Sequence, residues 1–145
     1  KIIEKKNKIT ILGSRNLKNI NIKTSPYPGF PTDLQAQLMV LMCKAKNKSI
    51  IEENIFENRF MHVSELNRMG ANIIVKGRKA IINGNKKLNG AQLMATDLRA
   101  SVSLIIAALI SSKKSVINRI YHLDRGYENI EKKLSACGAN IKRIK

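Results

Sequence analysis

The pentapeptide Thr32-Asp33-Leu34-Gln35-Ala36 recurs with a single change as Thr96-Asp97-Leu98-Arg99-Ala100, and Gly70-Ala71-Asn72-Ile73 recurs as Gly138-Ala139-Asn140-Ile141. Internal duplication restricts a fold more than composition does, because each copy must be one structural unit completed by packing on its neighbour. Between these anchors Ile55-Phe56 aligns with Ile120-Tyr121, and Leu66 with Leu134. Ahead of them Lys8-Ile9-Thr10-Ile11, Gly13 and Leu17 match Lys79-Ala80-Ile81-Ile82, Gly84 and Leu88. The period is roughly 64 to 70 residues, longer than the common solenoid repeats. The first copy carries an extra turn-rich loop, Ser25-Pro26-Tyr27-Pro28-Gly29-Phe30-Pro31, just ahead of its helix.

Each unit reads β-α-β-α-β-β, an α/β (α+β) pattern. Thr32 is a good N-cap and Gln35 completes a capping box, so a helix is expected to start there. Leu34, Leu38, Leu41, Met42 and Ala45 give it one apolar stripe. In the second copy Leu98, Val102, Ile105, Ile106 and Leu109 form the stripe, with Leu104, Ala107, Ala108 and Ile110 around it, so that helix is expected to be buried on most sides. Strands are expected at Ile50-Ile51 and Ser115 to Ile120, then second helices at Met61 to Met69 and Tyr127 to Ala136, each closed by a glycine, Gly70 and Gly138. Further strands are expected at Asn72 to Lys76 and Asn140 to Ile144, with Lys79 to Ile82 returning after Gly77. The chain thus divides into closing strands of a preceding unit (1–23), one βαβαββ unit (24–83) and a βαβαββ-like unit (84–145), all within one incomplete domain that at least one further unit is expected to precede.

Composition removes several function classes. The longest apolar run, Val102 to Ile110, is interrupted by Ser103 and is too short to span a bilayer. Cys43 and Cys137 make neither a disulfide framework nor a metal-ligand spacing, and a reducing cytoplasm is the natural setting. His62 and His122 have no carboxylate or cysteine at ligand spacing and read as packing or surface residues. The net charge of +17 invites a nucleic-acid reading, but the lysines are scattered and aromatics are only 4% of the chain, so no stacking platform accompanies them.

Four stretches carry a resemblance: Ser25 to Gln37, Phe56-Glu57-Asn58-Arg59-Phe60-Met61-His62-Val63, Gly90-Ala91-Gln92-Leu93-Met94-Ala95-Thr96-Asp97-Leu98-Arg99-Ala100-Ser101, and Asp124-Arg125-Gly126-Tyr127-Glu128-Asn129-Ile130. In this order they resemble the motifs of the enolpyruvyl transferases, and within that family the UDP-N-acetylglucosamine 1-carboxyvinyltransferases. The resemblance spans nearly the whole chain and is weakest over 1–23. It implies an EPSP synthase-like fold of two domains, each of three βαβαββ units, with substrates between them. This chain would be a C-terminal part, supplying about two of the six units plus a remnant. The implied reaction moves the enolpyruvyl group of phosphoenolpyruvate to the 3-hydroxyl of UDP-N-acetylglucosamine, releasing phosphate by addition and then elimination. That is the first committed step of peptidoglycan synthesis. No metal or organic cofactor, nucleic acid, membrane or obligate protein partner is implied.

By the same resemblance Arg59, Arg99 and Arg125 grip phosphoenolpyruvate, chiefly its carboxylate, and Asp33 contacts the sugar hydroxyl to orient or deprotonate it. Arg99, Arg125 and Asp33 are the catalytic candidates, and the Ile55 backbone is expected to contact the amino sugar. Arginine suits an anionic clamp because its planar fork meets a carboxylate with two parallel hydrogen bonds. An acid in a first helical turn is also favoured by the helix dipole alone; this competes with the functional reading of Asp33 and is the preferred one for Asp97. The family's reactive cysteine, sometimes aspartate, lies in the other half with a lysine and an asparagine. None of those motifs occurs here, so Cys43 and Cys137 read as structural, and residues 1–145 alone are expected to show no transferase activity. The shikimate 3-phosphate enzyme of the same fold is the second reading, and a non-catalytic basic binding domain the third.

Overall fold

Ser49 and Ile51 of the segment Lys48-Ser49-Ile50-Ile51-Glu52 turn inward while their neighbours stay more exposed, and this period of two builds the central sheet. The computed structural model describes residues 2–14, 16–84 and 87–144; Lys1, Arg15, Asn85, Lys86 and Lys145 lie outside the described residues. A hairpin of β1 (Ile2–Lys5) and β2 (Lys8–Ile11) opens the chain. Strands β3 (Asn21–Lys23), β4 (Lys48–Glu52), β5 (Ile73–Lys76) and β6 (Lys79–Asn83) form a sheet in the order β3-β4-β6-β5. The β3–β4 pair is parallel, as a helical crossover requires, and the other pairs are antiparallel. Through this pairing Asn21–Lys23 joins the sheet of the unit that follows it.

Helices α1 (Gln35–Lys44) and α2 (His62–Arg68) contribute to the core beside this sheet, and with β3 to β6 they complete one βαβαββ set. The second copy supplies β7 (Gln92–Met94), α3 (Leu98–Leu109), β8 (Val116–Asn118), α4 (Tyr121–Asp124) and α5 (Ile130–Ala136), with β7 and β8 parallel. Both copies end their last helix the same way. Gly70 and Gly138 adopt φ of +91° and +92°, the left-handed conformation that stops a helix without a Cβ clash.

Five expectations change. Thr32 does not cap a helix: residues Thr32–Leu34 form a 3-10 turn, α1 begins at Gln35, and the Thr32 hydroxyl is given to a buried carboxylate instead. Gln35 is itself buried and closes no capping box. The stripe of α1 is rotated, burying Ala36, Met39, Val40, Met42 and Cys43 while Leu34 and Leu41 are 51% and 44% exposed. The helix expected at Tyr127 to Ala136 begins only at Ile130, because Asn129 sits at φ +48°. Residues 140–144 form no strand: a strand needs a ladder, and whereas β5 pairs with β6, no described strand pairs with this segment.

One core crosses both copies. Met39 and Val40 of α1, Leu66 of α2, Ile51 and Ile82 of the sheet, and Leu104 and Ala107 of α3 share it. The expected burial of α3 holds from Ala100 to Ile105, and its end emerges at Leu109, 41% exposed. Leu104→Ala should therefore cost about 2–5 kcal/mol through the cavity it leaves, and Leu109→Ala under about 1 kcal/mol. Urea unfolding of the two variants measures the contrast, and equal losses would contradict the shared core.

Candidate active site

Two helix starts, one from each copy, and the loop between β4 and α2 supply the charged cluster. Asp33 lies in the 3-10 turn ahead of α1, Arg99 in the first turn of α3, and Arg59 in the loop. Asp33 Oδ1 accepts a hydrogen bond from Arg59 Nη1 at 3.2 Å and another from Arg99 Nε. The Asp33 side chain is 60% exposed, so these bonds are open to competition by a ligand or by salt. The hydrogen bond from Arg99 holds the Asp33 carboxyl below its ordinary range; slight burial opposes it, and Arg59 adds to it. Two guanidinium groups around one carboxylate leave a surplus positive charge, suited to an added anion.

Arg59 is held from several sides. Its guanidinium stacks 4.2 Å from the centroid of the Phe56 ring, and its Nη1 also donates to Thr32 Oγ1 at 3.1 Å. Thr32 in turn donates to Glu53 Oε2 at 2.8 Å. Glu53 is almost fully buried, and its Oε1 accepts from Thr24 Oγ1 at 2.8 Å and from the backbone N–H groups of Ile55 and Phe56 at 2.9 and 3.1 Å. Burial alone would raise its pKa, but hydrogen bonds from Thr32, Phe56, Ile55 and Thr24 outweigh it and keep the carboxyl below its ordinary range. A surface cavity of about 420 Å³ opens beside Arg59, lined by Phe56, Glu57, Phe60, Met61 and Arg78 among others.

The structure brings Asp33, Arg59 and Arg99 together and leaves two expected residues less engaged. Arg125 follows α4, is exposed, and its side chain has no hydrogen-bond or ion-pair partner among the described residues. The next residue, Gly126, lies so close to Leu98 that a Cβ would sit 3.0 Å from its methyl carbons, which brings this loop against the start of α3 beside Arg99. Ile55 is 37% exposed with its N–H committed to Glu53, so its carbonyl is the backbone group left for a ligand. Asp97 is the N-cap of α3, accepting from Arg99 N at 2.8 Å and Ala100 N at 3.0 Å. Thr32, Glu53 and Phe56 surround Arg59 without having been expected at the site; Thr32 and Phe56 lie inside the motif stretches, and Glu53 lies outside them. A signal existed for Glu53, which follows Ser49 and Ile51 on the inward phase of its segment, where an acid has to be satisfied by hydrogen bonds.

Among the described residues, the remaining candidates make no hydrogen bond to the cluster. Cys43 is buried in α1, and burial pushes its thiol up to about 11; Cys137 is exposed after α5. His122 stacks on Tyr121, with ring centroids 4.2 Å apart. His62 is buried, its Nε2 has no hydrogen-bond partner among the described residues, and burial pushes its pKa down to about 4 against the opposite pull of Asp97. Between that value and the ordinary 6.5 the unfolded chain binds the proton more readily, so stability falls as pH falls through this window. The loss should reach roughly 3 kcal/mol. His62→Leu should flatten this slope in denaturation curves taken at several pH values; an undiminished slope would clear His62 as its cause. Among the described residues no group of three or more His, Cys, Asp or Glu is arranged to hold a metal ion, and no helix is long and apolar enough to cross a membrane.

The profile of the EPSP synthase (3-phosphoshikimate 1-carboxyvinyltransferase) family matches residues 1–134. The chain is 72% identical over 144 residues to the UDP-N-acetylglucosamine 1-carboxyvinyltransferase of Pelagibacter ubique (strain HTCC1062), covering 99% of this chain and 34% of that protein. It is 61% identical over 144 residues to the protein of the same name from Geobacter metallireducens, with the same shares covered. The chain thus spans about a third of the length of these relatives. Among solved structures, the enolpyruvyl transferase NikO from Streptomyces tendae matches with a TM-score of 0.89 and 27% identity, over 98% of this chain and 33% of that one. An EPSP synthase from Acinetobacter baumannii matches with a TM-score of 0.52 and 18% identity, over 77% of this chain and 28% of that one, a likeness of fold. With its duplicated units, its EPSP synthase-like fold and a match along nearly its whole length, the chain belongs to the EPSP synthase (3-phosphoshikimate 1-carboxyvinyltransferase) family of enolpyruvyl transferases.

Proposed function

We propose that this chain is part of an enzyme that transfers the enolpyruvyl group of phosphoenolpyruvate to the 3-hydroxyl of UDP-N-acetylglucosamine, releasing phosphate in the cytoplasm at the entry to peptidoglycan synthesis. The observation that carries the reading is the 72% identity, over 99% of the chain, to a protein named for this transfer. In this reading Arg59, Arg99 and Arg125 bind phosphoenolpyruvate, Asp33 orients the sugar hydroxyl or takes its proton, and the Ile55 carbonyl contacts the amino sugar. The charge surplus around Asp33 supports the anionic half of the assignment. The chain would contribute two repeats, with the first opening at β3 rather than at residue 24. The other wall of the cleft would come from the rest of the protein.

The test is phosphate release by the full-length protein given phosphoenolpyruvate with either UDP-N-acetylglucosamine or shikimate 3-phosphate. Release with the nucleotide sugar alone is expected. Release only with the shikimate ester would transfer the assignment to the enzyme whose name the family profile carries, and silence with both from folded protein would end the enolpyruvyl-transfer reading.

A further inference from the structure

We propose that Glu53 and Thr32 are positioning residues that fix the Arg59 guanidinium in its ligand-binding orientation. The inference rests on the proposed role of Arg59 as a contact to phosphoenolpyruvate. The Glu53 carboxylate reaches Arg59 by two routes. Through Oε2 it accepts the Thr32 hydroxyl proton, which orients an oxygen lone pair of Thr32 toward Arg59 Nη1. Through Oε1 it accepts the Phe56 N–H, which holds the residue whose ring lies under the guanidinium. The buried hydroxyl of Thr24 donates to the same oxygen. A carboxylate offers only acceptors, so the direction of every hydrogen bond in this network is set by its charge.

This arrangement differs from ordinary loop anchoring in one respect. Thr24, Ile55 and Phe56 would suffice to satisfy Glu53 Oε1 and close the loop. Thr32 adds a bond that leads out of the buried network to a cation, 19% exposed, beside Asp33. An arginine with several rotatable bonds loses much freedom when it binds an anion, and a side chain already held loses less. Thr32→Val keeps the shape and removes both the donor and the acceptor. Thr32→Ser keeps both.

In the full-length enzyme Thr32→Val should raise the KM for phosphoenolpyruvate on the order of tenfold, with a smaller change in kcat, while Thr32→Ser stays close to the parent KM. Glu53→Gln, which reverses one partner from acceptor to donor, should move KM in the same direction as Thr32→Val. A role confined to holding the loop would instead lower thermal stability and the amount of active enzyme in both threonine variants' proportion to their packing, leaving KM for phosphoenolpyruvate unmoved; that result would overturn the proposal. The second readout needs no turnover: NMR relaxation of the Arg59 side-chain Nε should show greater mobility in Thr32→Val than in the parent and in Thr32→Ser. Unchanged Arg59 mobility would overturn the positioning role even if the enzyme proved to act on another substrate, whereas increased mobility with a silent phosphate assay would uphold it and reject only the substrate assignment.

Discussion

Asp33→Ala in the full-length enzyme should lower kcat by about 10²- to 10⁴-fold, the range that one positioned proton-transfer group contributes. The structure makes this substitution more damaging than loss of a base alone. Asp33 accepts from both Arg59 and Arg99, so alanine also frees two arginines from their ligand-free orientation. The KM for phosphoenolpyruvate should therefore shift as well, which a residue touching only the sugar would not cause. The arginine hydrogen bonds hold the Asp33 carboxyl below its ordinary range. Its ionised form therefore persists to lower pH in the free enzyme, and the acid limb of kcat/KM should lie below that of an ordinary aspartate. An anion bound on the free edges of the same arginines would offset their charge and return basicity to Asp33, so the acid limb of kcat should lie at higher pH than that of kcat/KM. Coincident limbs, or near-parent turnover by Asp33→Ala, would remove Asp33 from the reaction.

Arg99→Lys should raise the KM for phosphoenolpyruvate by roughly 10- to 100-fold although the charge is unchanged. Arg99 spends its Nε on Asp33, and its terminal nitrogens have no partner among the described residues. One guanidinium can thus hold the aspartate on one edge and a ligand carboxylate on another. A lysine ammonium concentrates its charge at one point on a flexible stem and cannot reproduce both edges. Steady-state kinetics with phosphoenolpyruvate varied at fixed ionic strength checks this. A lysine variant as good as the parent would show that charge alone suffices at this position.

Features set by neighbouring residues are legible in the chain itself. The return of Lys79 to Ile82 after Gly77 follows from local turn chemistry and appears as β5–β6, and the glycines that end α2 and α5 need no tertiary partner to act. The phase of α1 was not legible, because Leu38-Met39-Val40-Leu41-Met42 is apolar at every position and periodicity cannot select a face from a continuous run. Thr32 misleads for a related reason: the capping rule weighs only the helix that follows, whereas a carboxylate arriving from β4 outcompetes it for the hydroxyl. Residues 140–144 carry a strand-like pattern, but pairing depends on a second strand, which local sequence does not supply. Within the site, motif positions nominated Asp33, Arg59 and Arg99, and the structure brings these into contact. The supporting carboxylate of Glu53 was invisible to motifs because it acts from underneath.

Asp33 and Asp97 hold the same place in the two copies, yet they have different employments. Asp97 is spent on the backbone of α3, whose helix start carries Arg99, while α1 begins through a 3-10 turn and leaves Asp33 free to face that arginine. One repeat position thus holds a residue that secures a helix in one copy and a residue that meets its neighbour's cation in the other. The two repeats show a division of labour: one aspartate builds the platform from which the other is addressed.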